Sequence, residues 1–335
     1  MSKLRLCFLQ FLILVLGLAF AFELTLGAET QKTDRLNIGY ASISGNRISL
    51  WATHDAGFFA RHGIQSELIF FRTSAQGMPA LLAGEVPIFS GSAETGALAA
   101  ARGADLVVFA SNEPTQYKLI VQPQIKNVNE LKGKRIGVDR IGSSSYYATK
   151  KMLEKIGLRP EELTLLPVPG GGNERAAAFK SGNLEAVIST VERFERTKIP
   201  YNVLADAVSM GIRVVGNAFI TTRAFRDQHR DTILRFVRAF VDASYWLKDP
   251  KNRESALKIV SQRFKTSDPA VLNLNYRLYV EPLAPLPYTD VNDLKTNIED
   301  LAQENAILRK FHVARIVDNS FIQQVQKERQ LQRKE

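Results

Sequence analysis

The segment Arg35-Leu36-Asn37-Ile38-Gly39 has a counterpart in Lys134-Arg135-Ile136-Gly137, and the final glycines of the two segments lie 98 residues apart. Two later segments, Ala80–Ile88 and Ala178–Ala186, repeat at the same spacing, each with an apolar helix end, a glycine turn and the start of a strand. This spacing is too long for a solenoid, whose repeats have roughly 20–50 residues. We therefore expect two similar α/β lobes, which would form a cleft where they meet.

Strand-like and helix-like segments alternate along both copies. Predicted strands cover residues 36–40, 67–71, 86–89 and 106–110 in the first copy and 135–138, 164–168 and 184–188 in the second. Predicted helices lie between them, including 49–61, 74–82 and 174–180. This alternation indicates mostly parallel sheets with helices on both faces. After residue 215, a strand at 218–222 and a helix at 227–247 precede a helical remainder that we expect to pack on the first lobe.

The first 28 residues have the composition of a secretory signal peptide. Lys3 and Arg5 precede an apolar run, Leu6–Leu18, and the small residues Ala21 and Ala28 offer two cleavage sites. The alternative is a membrane anchor, for which the apolar run extended to Phe22, about 17 residues, is at the short limit of a spanning helix. We expect cleavage and a periplasmic location.

Composition narrows the class of protein. Hydrophobic residues make up 45% of the chain and charged residues 23%, which is typical of a globular protein. The only cysteine, Cys7, lies in the predicted signal peptide, so we expect neither disulfides nor thiolate chemistry in the mature chain. The formal net charge is +10, but basic residues are scattered except at Lys327–Lys334. We therefore expect no nucleic-acid partner, and an electrostatic attraction of anions towards a cleft.

Small polar residues follow most of the predicted strands. In parallel sheets, ligands bind at the carboxyl ends of the strands, where helix N-termini and backbone N–H groups can hold an anion. For any single serine the alternative is a helix N-cap without further function. The candidate ligand-binding residues of this type are Ser42, Ser44, Gly45, Asn46, Ser90, Gly91, Ser92, Ser143, Ser144, Ser145, Gly171, Gly172 and Thr190.

Three charged residues near these strand ends are further candidates. Arg47 and Arg140 occupy equivalent loops of the two copies, and paired arginines suit carboxylate, sulfonate or phosphate groups. Alternatively, Arg47 and Arg140 are both surface residues on loops and do not bind a ligand. Glu192 would favour an amine or a ring N–H donor.

Motifs of catalysis are missing from the sequence. The four histidines do not have the spacing of a metal site, and the chain contains no nucleophile elbow, phosphate-binding loop or dinucleotide fingerprint. We expect no enzymatic activity, no cofactor and no metal.

The sequence resembles the periplasmic solute-binding proteins of the nitrate, sulfonate and taurine class of ABC transporters, which includes thiamine-precursor binders. The residues that carry the resemblance are Gly57-Phe58-Phe59 with Gly63-Ile64, Leu81–Glu85, Glu130–Gly137, Gly142-Ser143-Ser144, Gly182–Ala186 and Asp318–Ile322. The family positions that bind ligand correspond to Ser42–Asn46, Ser90–Ser92 and Ser143–Ser145.

The resemblance implies a two-lobed periplasmic-binding-protein fold of type II with a ligand cleft between the lobes. Lobe I would comprise residues 36–121 and 215–335, and lobe II residues 122–214, with the two crossing segments as a hinge. The protein would act as a monomer, close on a small organic anion or small heterocycle, and deliver it to an ABC transporter permease. The alternatives are the binding protein of a tripartite (TRAP-type) transporter and a secreted enzyme on the same fold.

Overall fold

The computed structural model describes residues 33–111, 115–140, 142–168 and 170–332. The predicted signal peptide, residues 1–28, and Cys7 lie outside the described residues. None of the described helices combines the length and the apolar character that a membrane span requires.

The described residues form ten strands in two sheets. The strands are β1 (Asp34–Ala41), β2 (Ile64–Phe71), β3 (Ile88–Ser92), β4 (Leu106–Ser111), β5 (Lys118–Val121), β6 (Arg135–Val138), β7 (Thr164–Pro167), β8 (Ala186–Ser189), β9 (Asn202–Asp206) and β10 (Asn217–Thr222). The strand order is β2-β1-β3-β10-β4 in the first sheet and β7-β6-β8-β5-β9 in the second.

The two sheets repeat one topology. β1, β2 and β3 are mutually parallel, and β6, β7 and β8 are their counterparts in the second sheet. The fourth strand of each sheet, β10 or β5, is antiparallel to its neighbours and is the first strand after the chain crosses from the other sheet. The predicted two-lobed α/β fold with mostly parallel sheets is confirmed.

Packing accounts for the two glycines that mark the repeat. A Cβ atom on Gly39, in β1, would lie 2.7 Å from the ring of Phe89. A Cβ atom on Gly137, in β6, would lie 2.5 Å from Leu184. Both distances are below van der Waals contact, so each position accepts only glycine without a shift of its neighbour.

Helices cover the faces of both sheets. They are α1 (Ile48–Asp55), α2 (Phe58–Arg61), α3 (Ser74–Leu82), α4 (Ala93–Ala101), α5 (Ser144–Lys155), α6 (Gly172–Lys180), α7 (Val191–Thr197), α8 (Arg223–Gln228), α9 (Arg230–Lys248), α10 (Arg253–Phe264), α11 (Pro269–Tyr279), α12 (Val291–Ala302) and α13 (Ser320–Gln332). The long helix α9 buries Phe236 against Phe109 and Phe219 of the first sheet, with ring centroids 5.6 and 5.0 Å away.

Local structure differs from the prediction at three places. The predicted helix 49–61 is two helices, because Gly57 adopts a left-handed conformation with φ of 75° between α1 and α2. The predicted helix 227–247 begins at Arg230, since the backbone of His229 leaves the helical region and separates α8 from α9. The strand β5 pairs with β8 and β9, so residues 118–121 lie in the second sheet, although the predicted boundary placed them in lobe I.

Candidate functional site

A cavity of about 90 Å³ lies at the carboxyl ends of strands from both sheets. The first sheet contributes the segments that follow β1, β2 and β3, and the second contributes those that follow β6 and β7. The two chain crossings contribute Thr115, Tyr117 and Gly216. Nine of the predicted site residues line this cavity, namely Ser42, Asn46, Arg47, Ser92, Ser143, Ser144, Ser145, Gly171 and Gly172.

Three of the helices that begin at the cavity have N-cap side chains that line it. The Oγ1 atom of Thr73 accepts the backbone N–H of Gln76 at the start of α3. Ser92 caps α4 and Ser143 caps α5 in the same way. The helix-capping role proposed for single serines is therefore real at two of the predicted positions. Because the caps also line the cavity, the partial positive charges of three helices converge there.

Arg47 is buried, so the alternative of a surface residue is wrong. Its side chain is 1% exposed and lines the cavity. Nε donates to the Ala41 carbonyl oxygen at 2.8 Å, and Nη1 donates to Ser90 Oγ at 2.6 Å. Both acceptors are neutral, and burial lowers the pKa of Arg47 to about 9. The guanidinium group stays charged at neutral pH and places a positive charge at the cavity wall.

Arg175, which was not among the predicted site residues, is the second buried arginine of the cavity. It lies in the first turn of α6 and is 6% exposed. Its Nε and Nη1 atoms are buried and find no hydrogen-bond partner among the described residues. Burial lowers the pKa of Arg175, whereas the carboxylate of Asp139 opposes that shift. Burying a charged guanidinium group without partners is costly, so an anion in the cavity would relieve a cost that is already present.

Three further residues set the charge and polarity of the cavity. Arg72, directly after β2, and Asp139, directly after β6, both line it. Among the described residues, the cavity wall therefore carries three arginines and one acidic residue. Tyr117 also lines it, and burial raises the pKa of this tyrosine to about 12, so its hydroxyl remains neutral. The sequence could have indicated Arg72 and Asp139 as site residues, because each directly follows a predicted strand.

Seven of the predicted residues do not line the cavity: Ser44, Gly45, Ser90, Gly91, Arg140, Thr190 and Glu192. Ser90 instead accepts the hydrogen bond of Arg47. Arg140 Nη2 donates to Thr95 Oγ1 at 3.3 Å, and burial lowers the pKa of Arg140.

The other five residues are tightly packed or form hydrogen bonds with one another. Gly45 and Gly91 lie in places without room for a Cβ atom, since one on Gly91 would lie 2.3 Å from Phe89. Ser44 Oγ and Thr190 Oγ1 both donate to Glu192 Oε1, each at 2.7 Å. The assignment of these residues to ligand binding stays a prediction.

Two known proteins are similar to this chain in sequence over about 60% of its length. The chain is 26% identical over 207 residues to a Bacillus subtilis (strain 168) protein whose name assigns it aliphatic sulfonates as ligands. It is 24% identical over 213 residues to the taurine-binding periplasmic protein of Escherichia coli (strain K12). These matches cover 61% and 60% of this chain, and they span 60% and 66% of the respective relatives' own lengths.

A solved structure extends the likeness of fold over most of the chain. The alkanesulfonate-binding protein SsuA from Xanthomonas axonopodis pv. citri, bound to MOPS, superposes with a TM-score of 0.71 and is 21% identical. The superposition covers 86% of this chain and 99% of that protein. The predicted periplasmic-binding-protein fold is thus confirmed. Residues 45–253, more than half of the chain, match the family described as NMT1/THI5 like, and the chain belongs to that family.

Proposed function

We propose that this protein is an exported binding protein that captures a small organic anion, of the sulfonate or carboxylate kind, and delivers it to the permease of an ABC importer. The main support for this proposal is Arg175, a buried guanidinium group on the cavity wall with two nitrogens that find no partner among the described residues. A sulfonate or carboxylate could accept charge-assisted hydrogen bonds from it.

The rest of the cavity supports an anion as the ligand. Arg47 and Arg72 add positive charge, and the N-termini of α3, α4 and α5 add partial charges of the same sign. Asp139 is the only acidic residue that lines the cavity within the described part of the chain. Relatives named for sulfonates and taurine agree with this choice. The two chain crossings between the sheets would be the hinge, with binding and release by lobe closure and opening.

The test is ligand binding by residues 29–335, without catalysis. Thermal unfolding would be followed with alkanesulfonates, taurine, nitrate, aliphatic carboxylates and aminopyrimidines, and with neutral sulfones matched in size to the sulfonates. An anion at 100 times its dissociation constant should add about 2.7 kcal/mol of stability, while its neutral counterpart should add none. The proposal fails if no anion stabilises the protein and none co-purifies with it. Recovery of a chemically altered ligand would instead favour an enzyme.

A further inference from the structure

Two buried glutamates occupy equivalent positions in the two lobes. Ser92-Ala93-Glu94 begins at the last residue of β3, and Thr190-Val191-Glu192 follows β8. Glu94 and Glu192 lie 98 residues apart, which is the spacing of the internal repeat. In both lobes, a hydroxyl residue at the helix N-cap precedes the glutamate by two positions. The side chains are 0% and 1% exposed.

Each glutamate accepts a hydrogen bond from a serine of the other lobe. Ser144, the first residue of α5 in the second lobe, donates from Oγ to Glu94 Oε2 at 2.5 Å. Ser44, which follows β1 of the first lobe, donates from Oγ to Glu192 Oε1 at 2.7 Å. The repeat therefore produces two reciprocal hydrogen bonds across the lobe interface, one from each lobe to the other.

We propose that Glu94 and Glu192 are positioning residues that hold the closed arrangement of the lobes through these two interlobe hydrogen bonds. The inference rests on the proposed function as a closing trap. Each bond joins groups from both lobes, so it forms on closure and is lost on opening. An interaction that stabilises only the closed state slows the release of ligand.

The remaining partners of the two carboxylates lie mostly within their own lobes. Glu94 also accepts hydrogen bonds from Ser92 Oγ at 2.9 Å and Asn297 Nδ2 at 3.0 Å. The backbone N–H of Gly216, on the chain crossing before β10, adds a third at 3.3 Å. These bonds do not require the second lobe. Ser144 is thus the partner of Glu94 that depends on closure.

Glu192 depends more strongly on the opposite lobe. Thr190 Oγ1 donates to the same oxygen as Ser44, and Glu192 Oε2 is buried without a partner among the described residues. Burial and the neighbouring Glu192 carboxylate raise the pKa of Tyr279 well above its usual range, so that hydroxyl stays protonated beside it. Loss of the Ser44 hydroxyl would leave Glu192 still less satisfied, but only with the lobes closed.

Ser44 and Glu192 permit a clean test because neither lines the cavity. The experiment measures association and dissociation of ethanesulfonate by stopped-flow fluorescence in wild type, Ser44→Ala, Glu192→Gln and the double variant. Thr190→Val is the matched control, since it removes a hydrogen bond to the same carboxylate from within one lobe. Thermal unfolding of the ligand-free proteins accompanies the kinetics.

We expect dissociation to accelerate by about tenfold in Ser44→Ala, the scale of one charge-assisted hydrogen bond, and by less in Glu192→Gln, whose amide oxygen still accepts from Ser44 but carries no charge. Association and ligand-free unfolding should stay close to wild type, and the double variant should release ligand little faster than Ser44→Ala. Thr190→Val should release ligand within twofold of wild type.

Unchanged dissociation in Ser44→Ala and Glu192→Gln would overturn the inference and leave the proposed function standing. The inference is also overturned if the variants lose ligand-free stability while their release rate stays that of wild type, or if Thr190→Val accelerates release equally. Failure of wild type to bind ethanesulfonate or any other anion of the panel would overturn the proposed function, and the inference with it.

Discussion

Replacement of Arg175 by methionine should move stability and ligand affinity in opposite directions. Methionine keeps the length and apolar stem of the side chain and removes the guanidinium charge. Arg175 is 6% exposed, and its Nε and Nη1 atoms have no hydrogen-bond partner among the described residues. The substitution therefore removes a desolvated charge without leaving a protein acceptor unpaired.

The expected magnitudes follow from this environment. An uncompensated buried charge costs several kcal/mol, of which the nearby Asp139 carboxylate offsets a part, so ligand-free Arg175→Met should be about 1–3 kcal/mol more stable than wild type. A charge-assisted, bidentate contact with an anion contributes about 3 kcal/mol, so anion affinity should fall by about 100-fold. Stability gained at the expense of binding is typical of residues kept for function.

Arg47 supplies the matched control because its charge is buried in the same cavity wall with its hydrogen bonds made. Arg47→Met would leave the Ala41 carbonyl oxygen and Ser90 Oγ without their donor. We expect that variant to lose about 1–3 kcal/mol of stability. Urea unfolding of the ligand-free proteins measures the first effect, and isothermal titration with ethanesulfonate measures the second.

A ligand-free Arg175→Met protein that is less stable than wild type would refute the claim that the guanidinium group is uncompensated. Affinity within threefold of wild type would refute its role in anion binding. Equal effects of the Arg175 and Arg47 substitutions would show that the difference in hydrogen bonding between the two arginines has no energetic consequence.

Three more outcomes follow from the structure. Tyr117→Phe should weaken anion binding about tenfold by calorimetry, with no change in that ratio between about pH 6 and pH 9, because burial raises the pKa of Tyr117 to about 12. Burial alone would raise the pKa of Asp242, but a hydrogen bond from His62 lowers it. The stability that this bond provides is present above the usual aspartate pKa and is lost as the pH falls through the lowered value. Asp242→Asn should therefore cost about 1 kcal/mol in urea unfolding near pH 7 and nothing near pH 2. Gly45→Ala should lower stability by about 1–3 kcal/mol in the same assay, since its Cβ would lie 2.2 Å from Asn275 Oδ1.

The fold was predictable from the sequence because its main features are local. Glycines such as Gly39 and Gly137, helix caps and alternating apolar segments each report on a short piece of chain. The strands β5 and β9 went unpredicted, and neither lies in a strand–helix pair of the kind on which the prediction relied. Their pairing with β8 and with each other is set by contacts distant in sequence.

The site was predictable only in part, for a related reason. Serines at strand ends were found because helix N-termini require them, and Ser92 and Ser143 do line the cavity. Arg175 lies inside the first turn of a helix, where an arginine is ordinary and only burial marks it out. Ser44 and Glu192 meet across 148 residues of sequence, so no local pattern could have shown that they bind one another.

We propose that the cavity between the lobes holds an anion on Arg175. A crystal structure with 2-bromoethanesulfonate would show this, because the anomalous signal of bromine places the ligand without ambiguity. We predict one molecule in the cavity, with sulfonate oxygens within hydrogen-bond distance of Arg175 Nε and Nη1. A ligand bound outside the residues that line the cavity, or one inside it with its sulfonate turned away from Arg175, would show that Arg175 does not hold the anion.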